Sequence, residues 1–208
     1  MSRITMLKLI SITVLLLTLP LLANAADDNP PPANSDFNYN YIEGGFINID
    51  SGSGNPSAGI GNLSGLGADG SYEIAPRFRL VAGFDTTSCC DYRLTNFHLG
   101  VGYHQMLLQK LGLFVNAELV NSNGKYTPNG FSGSNSDSGL ELVGGVRFIP
   151  VDKVEVDGFV SVTGGNDFVD SSPSPGVFGM YNFAPQWSVF ASYTANADLF
   201  YTGVRYDF

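Results

Sequence analysis

Tyr201-Thr202-Gly203-Val204-Arg205-Tyr206-Asp207-Phe208 decides how the rest of the chain is read. With Phe200 in front, apolar, aromatic or β-branched side chains fall on every second place: Phe200, Thr202, Val204, Tyr206 and Phe208. Tyr201, Gly203, Arg205 and Asp207 fill the gaps. A period of two is that of a strand with one oily face and one polar face.

The same alternation recurs upstream. Ten amphipathic segments are predicted, over 37–50, 61–74, 78–86, 92–105, 110–121, 138–149, 153–164, 175–184, 187–195 and 199–208. Most have the roughly 9–11 residues that a tilted strand needs to cross a bilayer. Short connections at 75–77, 106–109, 150–152 and 184–186 alternate with polar, usually longer ones at 51–60, 87–91, 122–137 and 165–174, and with a tight one at 196–198. Tyr72–Phe84 also echoes Tyr181–Tyr193, each a strand, an Ala-Pro turn and a strand. Proline presets the backbone for such turns.

The two faces differ in kind. Leu111, Leu113, Val115, Ala117 and Leu119 oppose Gly112, Phe114, Asn116 and Glu118; Val154, Val156, Val160 and Val162 oppose Glu155, Asp157 and Phe159. The polar face is glycine-rich and sparsely charged, whereas a soluble sandwich exposes a densely charged one. Lipid requires every backbone group to be paired, and a charge on the lipid side costs about 2–4 kcal/mol at mid-membrane. The pattern therefore predicts a closed antiparallel up-and-down transmembrane β-barrel of about ten strands, with eight as the alternative. Its interior should hold Glu73, Arg79, Glu118, Glu141, Arg147, Glu155 and Arg205 as a paired network, because isolated buried charges are costly. The first strand fits worst, since Tyr39 and Tyr41 share a face with Glu43 unless a bulge intervenes.

Residues 1–25 carry the marks of a secretory signal peptide: Arg3 and Lys8, the apolar run Leu9–Leu22, and the small-residue site Ala23-Asn24-Ala25. Residues 26–36 are proline-rich and polar, a flexible periplasmic lead-in to a barrel over 37–208. Beyond the signal no apolar stretch approaches the roughly 20 residues of a spanning helix. The full chain has a formal net charge of −9, and removing Arg3 and Lys8 makes it −11. That excess of acid argues against nucleic acid as a partner. The adjacent Cys89 and Cys90 enter an oxidising compartment, where a strained vicinal disulfide or a bridge to another chain competes with an incidental loop pair.

The spacing Tyr201, Gly203, Tyr206, Phe208 resembles the insertion signal of bacterial outer-membrane barrels, read on the last strand by the assembly machinery. With the signal peptide and the strand rhythm, the chain resembles small Gram-negative outer-membrane β-barrels, those with the architecture of the OmpA transmembrane domain and of OmpX. Tyr39-Asn-Tyr-Ile-Glu-Gly-Gly45 also resembles the start of a family of small exported proteins from plant-associated bacteria. The first resemblance implies the cell outer membrane, reached through the periplasm, and lipid and lipopolysaccharide as partners. It also implies a monomer that needs no cofactor. A structural or surface-interaction role follows, with a lumen largely filled by side chains. The alternative is a narrow porin-like channel for ions or small solutes.

A surface hydrolase is the third reading. Ten-stranded omptin-type proteases need a His/Asp site at the outer rim, and His98 with Asp85 or Asp91 is the one pairing the sequence offers; the other histidine, His104, lies toward the periplasmic end. No catalytic or metal-binding residue is assigned. Asp50, Asp91, Asp137, Asp167, Asp170 and Asp198 are read as solvated loop residues, with bridging of divalent cations as the competing reading.

Overall fold

A computed structural model describes residues 37–50, 62–127, 132–165 and 172–208. The segments read as signal peptide and lead-in, the connection 51–60, and Asp167 and Asp170 lie outside them. Ten strands form among the described residues: β1 Tyr41–Ile49, β2 Leu63–Ala75, β3 Phe78–Cys89, β4 Tyr92–Leu108, β5 Leu111–Tyr126, β6 Gly133–Val151, β7 Val154–Gly164, β8 Ser174–Ala184, β9 Trp187–Thr194 and β10 Leu199–Asp207. Each pairs antiparallel with its sequence neighbours, and β10 returns to β1 to close the barrel.

The closing seam explains why small residues stand where they do. Gly45 lies directly opposite Gly203. A Cβ on Gly203 would come within 2.7 Å of the Gly45 Cα, so this crossing needs two glycines.

The two ends of the barrel are built differently. Four two-residue turns lie at the end where β1 begins and β10 finishes, at 76–77, 109–110, 152–153 and 185–186. Each hairpin on this turn end carries a register shift, at Glu73/Ala75, Met106/Leu108, Phe148/Val151 and Asn182/Ala184. The shifts in the two echoing hairpins fall at equivalent positions. Bulges sharpen twist and are common at barrel rims. Arg77 and Lys153 take φ of 72°, a left-handed conformation that costs a non-glycine residue about 1–2 kcal/mol. Lys110 bonds Asp152 at 2.9 Å across two of these turns and holds its carboxyl below the usual range.

At the opposite, loop end the strands run further than the alternation predicts. The segment 87–91, expected as a loop, is strand to Cys89 followed by the turn Cys90-Asp91. The expected loop 122–137 is mostly ladder, since β5 and β6 pair as far as Tyr126 and Gly133. On its other side β6 pairs with β7 only from Leu140. Residues 133–139 therefore lie in a projecting blade formed with β4 and β5. Polar side chains such as Ser122, Asn123, Ser134 and Ser136 suit strand that has left the apolar zone, and for that reason they read as loop in the sequence.

The outer waist is apolar: Leu66, Leu80, Phe84, Phe97, Leu99, Val101, Leu119, Leu140, Val146, Val160, Val177, Val189 and Val204 are all exposed. Near the turn end aromatics gather on it, with Trp187 5.0 Å from Tyr206 and Phe78 5.3 Å from Tyr103. The buried residues are those facing inward, charged ones among them. This is the inverse of a water-soluble fold.

Candidate functional site: the barrel interior

Inward positions follow from strand parity, so the lumen can be read along its axis. At the turn end Phe37 and Tyr39, just ahead of β1, enter the mouth and pack with Ile149 and Met106. The Tyr39 ring stacks on His104 at 3.6 Å, and the guanidiniums of Arg79 and Arg147 lie 5.0 and 5.1 Å from its centroid. Tyr39, Tyr41 and Glu43 therefore share the inner face with no bulge between them. The expected misfit disappears because arginines offer cationic faces to the rings, an attraction of about 0.5–2 kcal/mol each.

Deeper in, Arg147 bonds Asp157 at 3.0 and 3.1 Å and stands 3.2 Å from Glu155. Arg205 reaches Glu43 at 2.5 and 2.6 Å and stacks over Tyr41 at 3.8 Å. Arg79 donates to the Asn116 side-chain oxygen at 2.9 Å. Asn116 in turn donates to Glu118 at 3.1 Å. The other Glu118 oxygen meets His98 Nδ1, and His98 Nε2 meets Asp69 at 2.8 Å. A hydrogen-bonded chain thus crosses the interior through β3, β5, β4 and β2. Toward the loop end Ile47, Met180, Phe190 and Tyr201 form an apolar layer that also packs Phe178.

The seven residues read as a charge network all lie on inward-facing positions, but their partners differ from an acid–arginine set drawn only from those seven. Arg147 with Glu155 is the one ion pair formed within that set. The remaining partners are Glu43, Asp69, Asn116 and Asp157, together with His98. Glu73 sits opposite Arg79 in the register, yet that guanidinium goes to Asn116. Glu141 faces Glu118, a like charge. Asp69 was hidden because its strand alternates glycines with little apolar contrast. The His98 pairing with Asp85 or Asp91 does not form; Asp85 accepts instead from Asn96 at 3.0 Å.

Glycines make this interior possible. A Cβ on Gly83 would fall on His98 Nε2 and Asp69 Oδ1. Gly83→Ala is expected to displace that contact at a cost of about 1–3 kcal/mol, measured by urea unfolding. An unchanged midpoint would show that the His98 bridge is not held there.

Elsewhere, Tyr201 is buried and donates to the Gly67 carbonyl at 3.4 Å, whereas Tyr206 and Phe208 point outward, 6.5 Å apart. The Cys89 and Cys90 sulfurs are 2.8 Å apart without a disulfide.

Comparison with known proteins follows the architecture. No curated protein matches the chain in sequence. Among solved structures it is similar to Neisserial surface protein A, at 13% identity over 81% of this chain and 96% of that one, with a TM-score of 0.42. It is similar to Ail of Yersinia pestis at 14% identity over 83% and 100%, TM-score 0.44. It is also similar to the N-terminal barrel domain of Pseudomonas aeruginosa OprF at 11% identity over 83% and 100%, TM-score 0.45. Residues 12–160 match the outer membrane protein beta-barrel domain family, well over half of the sequence. With a closed ten-stranded cylinder, an apolar waist and a charged interior, the chain belongs to that family of outer-membrane β-barrels and resides in the cell outer membrane.

Proposed function

We propose that this barrel is a non-conducting scaffold with a structural or surface-interaction role, which holds the β4–β6 blade outside the membrane. One observation carries the reading: side chains close the axis at the turn end. Tyr39 is 3% and Phe37 5% exposed in the turn-end mouth, and behind them Arg79, Arg147 and Arg205 are 2–4% exposed. A conducting lumen keeps its charges hydrated, whereas Arg147 and Arg205 are locked against carboxylates and rings, and Arg79 against rings and Asn116. In this reading the turn end faces the periplasm and the blade faces outward. The protein works as a monomer in lipid and lipopolysaccharide, and the assembly machinery engages Tyr201, Gly203, Tyr206 and Phe208. Cleavage after Ala25 delivers the mature chain. His98 serves the scaffold, because both of its ring nitrogens are engaged by carboxylates. Cys89 and Cys90 are placed to oxidise once exported.

Planar-bilayer recording of the refolded mature protein tests this. The membrane should remain silent, and Phe37→Ala/Tyr39→Ala should give at most brief openings, because the arginine layer persists. Steady unitary currents from the unaltered protein would establish the narrow-channel reading instead.

A further inference from the structure

We propose that the lumen binds one small monovalent anion, of chloride or formate size, at Arg79. Arg79 is 2% exposed, and among the described residues no carboxylate lies within ion-pair distance of it. Its single hydrogen bond goes to the neutral Asn116, which leaves Nε and Nη1 buried and unpartnered. A buried cation with no counter-charge is among the costlier arrangements a protein can hold. The other two arginines do not share this condition, since Arg205 has Glu43, and Arg147 has Glu155 and Asp157.

The surroundings are built for an acceptor. Next to Arg147, the unpartnered Nη1 is accompanied by unpartnered oxygens of Glu155 and Asp157, a mixture that bridging water satisfies. At Arg79 the unpartnered atoms are its own Nε and Nη1, both donors, and the Tyr39 hydroxyl and His104 Nδ1 of the ring stack that Arg79 and Arg147 flank also lack partners. Glu118, the next acid along its hydrogen-bond chain, has both oxygens engaged, by Asn116 and His98. Arg79 and Arg147 both flank the rings of Tyr39 and Phe114, so two cations of like sign converge there. Both line one cavity of about 260 Å³, room for a small anion with a few waters. Glu43, Asp69, Glu118 and Asp157 border the same space but are already engaged by Arg205, His98 and Arg147, which leaves Arg79 as the lining cation without a carboxylate. A single negative charge matches the single uncompensated guanidinium.

The test uses the mature protein refolded in detergent, with urea unfolding followed by the fluorescence of Trp187, the one tryptophan in the chain. Chloride or formate is titrated against gluconate at constant ionic strength. Saturable stabilisation is expected, with the folding equilibrium constant rising about tenfold at ten times the dissociation constant. Arg79→Met, which removes the buried charge, should abolish that dependence; Arg205→Met should retain it. No saturable effect, or an equal one in Arg79→Met, would mean that water alone serves these donors and would overturn the proposal. If Arg79→Met fails to refold, crystals of the unaltered protein grown in bromide decide. An anomalous peak within about 3.5 Å of an Arg79 nitrogen supports the site, and bromide confined to the surface refutes it.

Discussion

Glu43→Ala is expected to destabilise the barrel by about 3–5 kcal/mol, the usual cost of removing one partner from a buried ion pair. Glu43 is on the first strand and Arg205 on the last, and they meet at 2.5–2.6 Å with both side chains almost fully buried. The alanine variant leaves the Arg205 guanidinium with the rings of Tyr41 and Phe178, at 3.8 and 5.0 Å, and with no carboxylate bonded to it. Ring faces attract a cation, but they accept none of its N–H groups. Replacing both partners, as Glu43→Ala/Arg205→Met, removes the stranded charge and should recover most of the loss. Urea unfolding of the two single variants and the double variant gives the coupling directly. A loss below about 1 kcal/mol in Glu43→Ala would place the pair in water and contradict a side-chain-filled interior. The position gives the interaction a second consequence. β1 and β10 are joined only by closure of the cylinder, so the pair holds the seam through a side-chain contact between residues 162 apart in sequence. Weakening it should slow refolding into micelles as well as lower the equilibrium stability.

How far the sequence reveals this arrangement depends on the environment of each residue. Where a strand crosses the apolar zone, each outward position must be greasy, and alternation gives the face without ambiguity. Leu111 to Leu119 and Val154 to Val162 follow this rule, and the alternation predicts all ten strands that the barrel contains. The same argument weakens beyond the bilayer. Thr87, Ser88, Ser122 and Ser136 sit in regular ladder, but nothing there demands an oily partner, so their polarity reads as loop. Inside the cylinder, parity says which residues face inward and nothing about which of them meet. Arg79 and Asn116 are on β3 and β5, each opposite Gly102 of the intervening β4, and they bond over that glycine. Glu118 and Glu141 are direct neighbours in the register and do not pair. Such contacts depend on barrel radius and on the glycines that admit side chains to the axis, quantities that a period of two does not carry. The signal at Tyr39, Tyr41 and Glu43 is present in the sequence but has the form of a conflict. Two tyrosines beside a glutamate look like a broken face until three arginines are known to converge on them.

Val101→Arg should cost about 2–4 kcal/mol, although it changes one exposed residue and breaks no contact inside the protein. In a water-soluble protein an arginine at a half-exposed surface position is close to neutral. Here Val101 is 53% exposed midway along β4, and its outer-face neighbours are Leu99 on the same strand and Leu80 and Ala117 across the ladders. That surface meets hydrocarbon, which cannot solvate a guanidinium. The penalty should fall with distance from mid-membrane, so Tyr103→Arg, closer to the turn end, should cost about 0–1 kcal/mol. The measurement is reversible unfolding in lipid vesicles, comparing the two variants with the unaltered barrel. Equal and negligible costs at both positions would mean that the waist of this cylinder contacts water. The depth dependence is the stronger discriminator, because a loss of packing alone would not follow the membrane normal. Arg147, inward at 4% exposed and bonded to two carboxylates, supplies the contrast within the same molecule. The barrel tolerates a guanidinium where its own acids and rings surround it, and should reject the same group on a face that only lipid can cover.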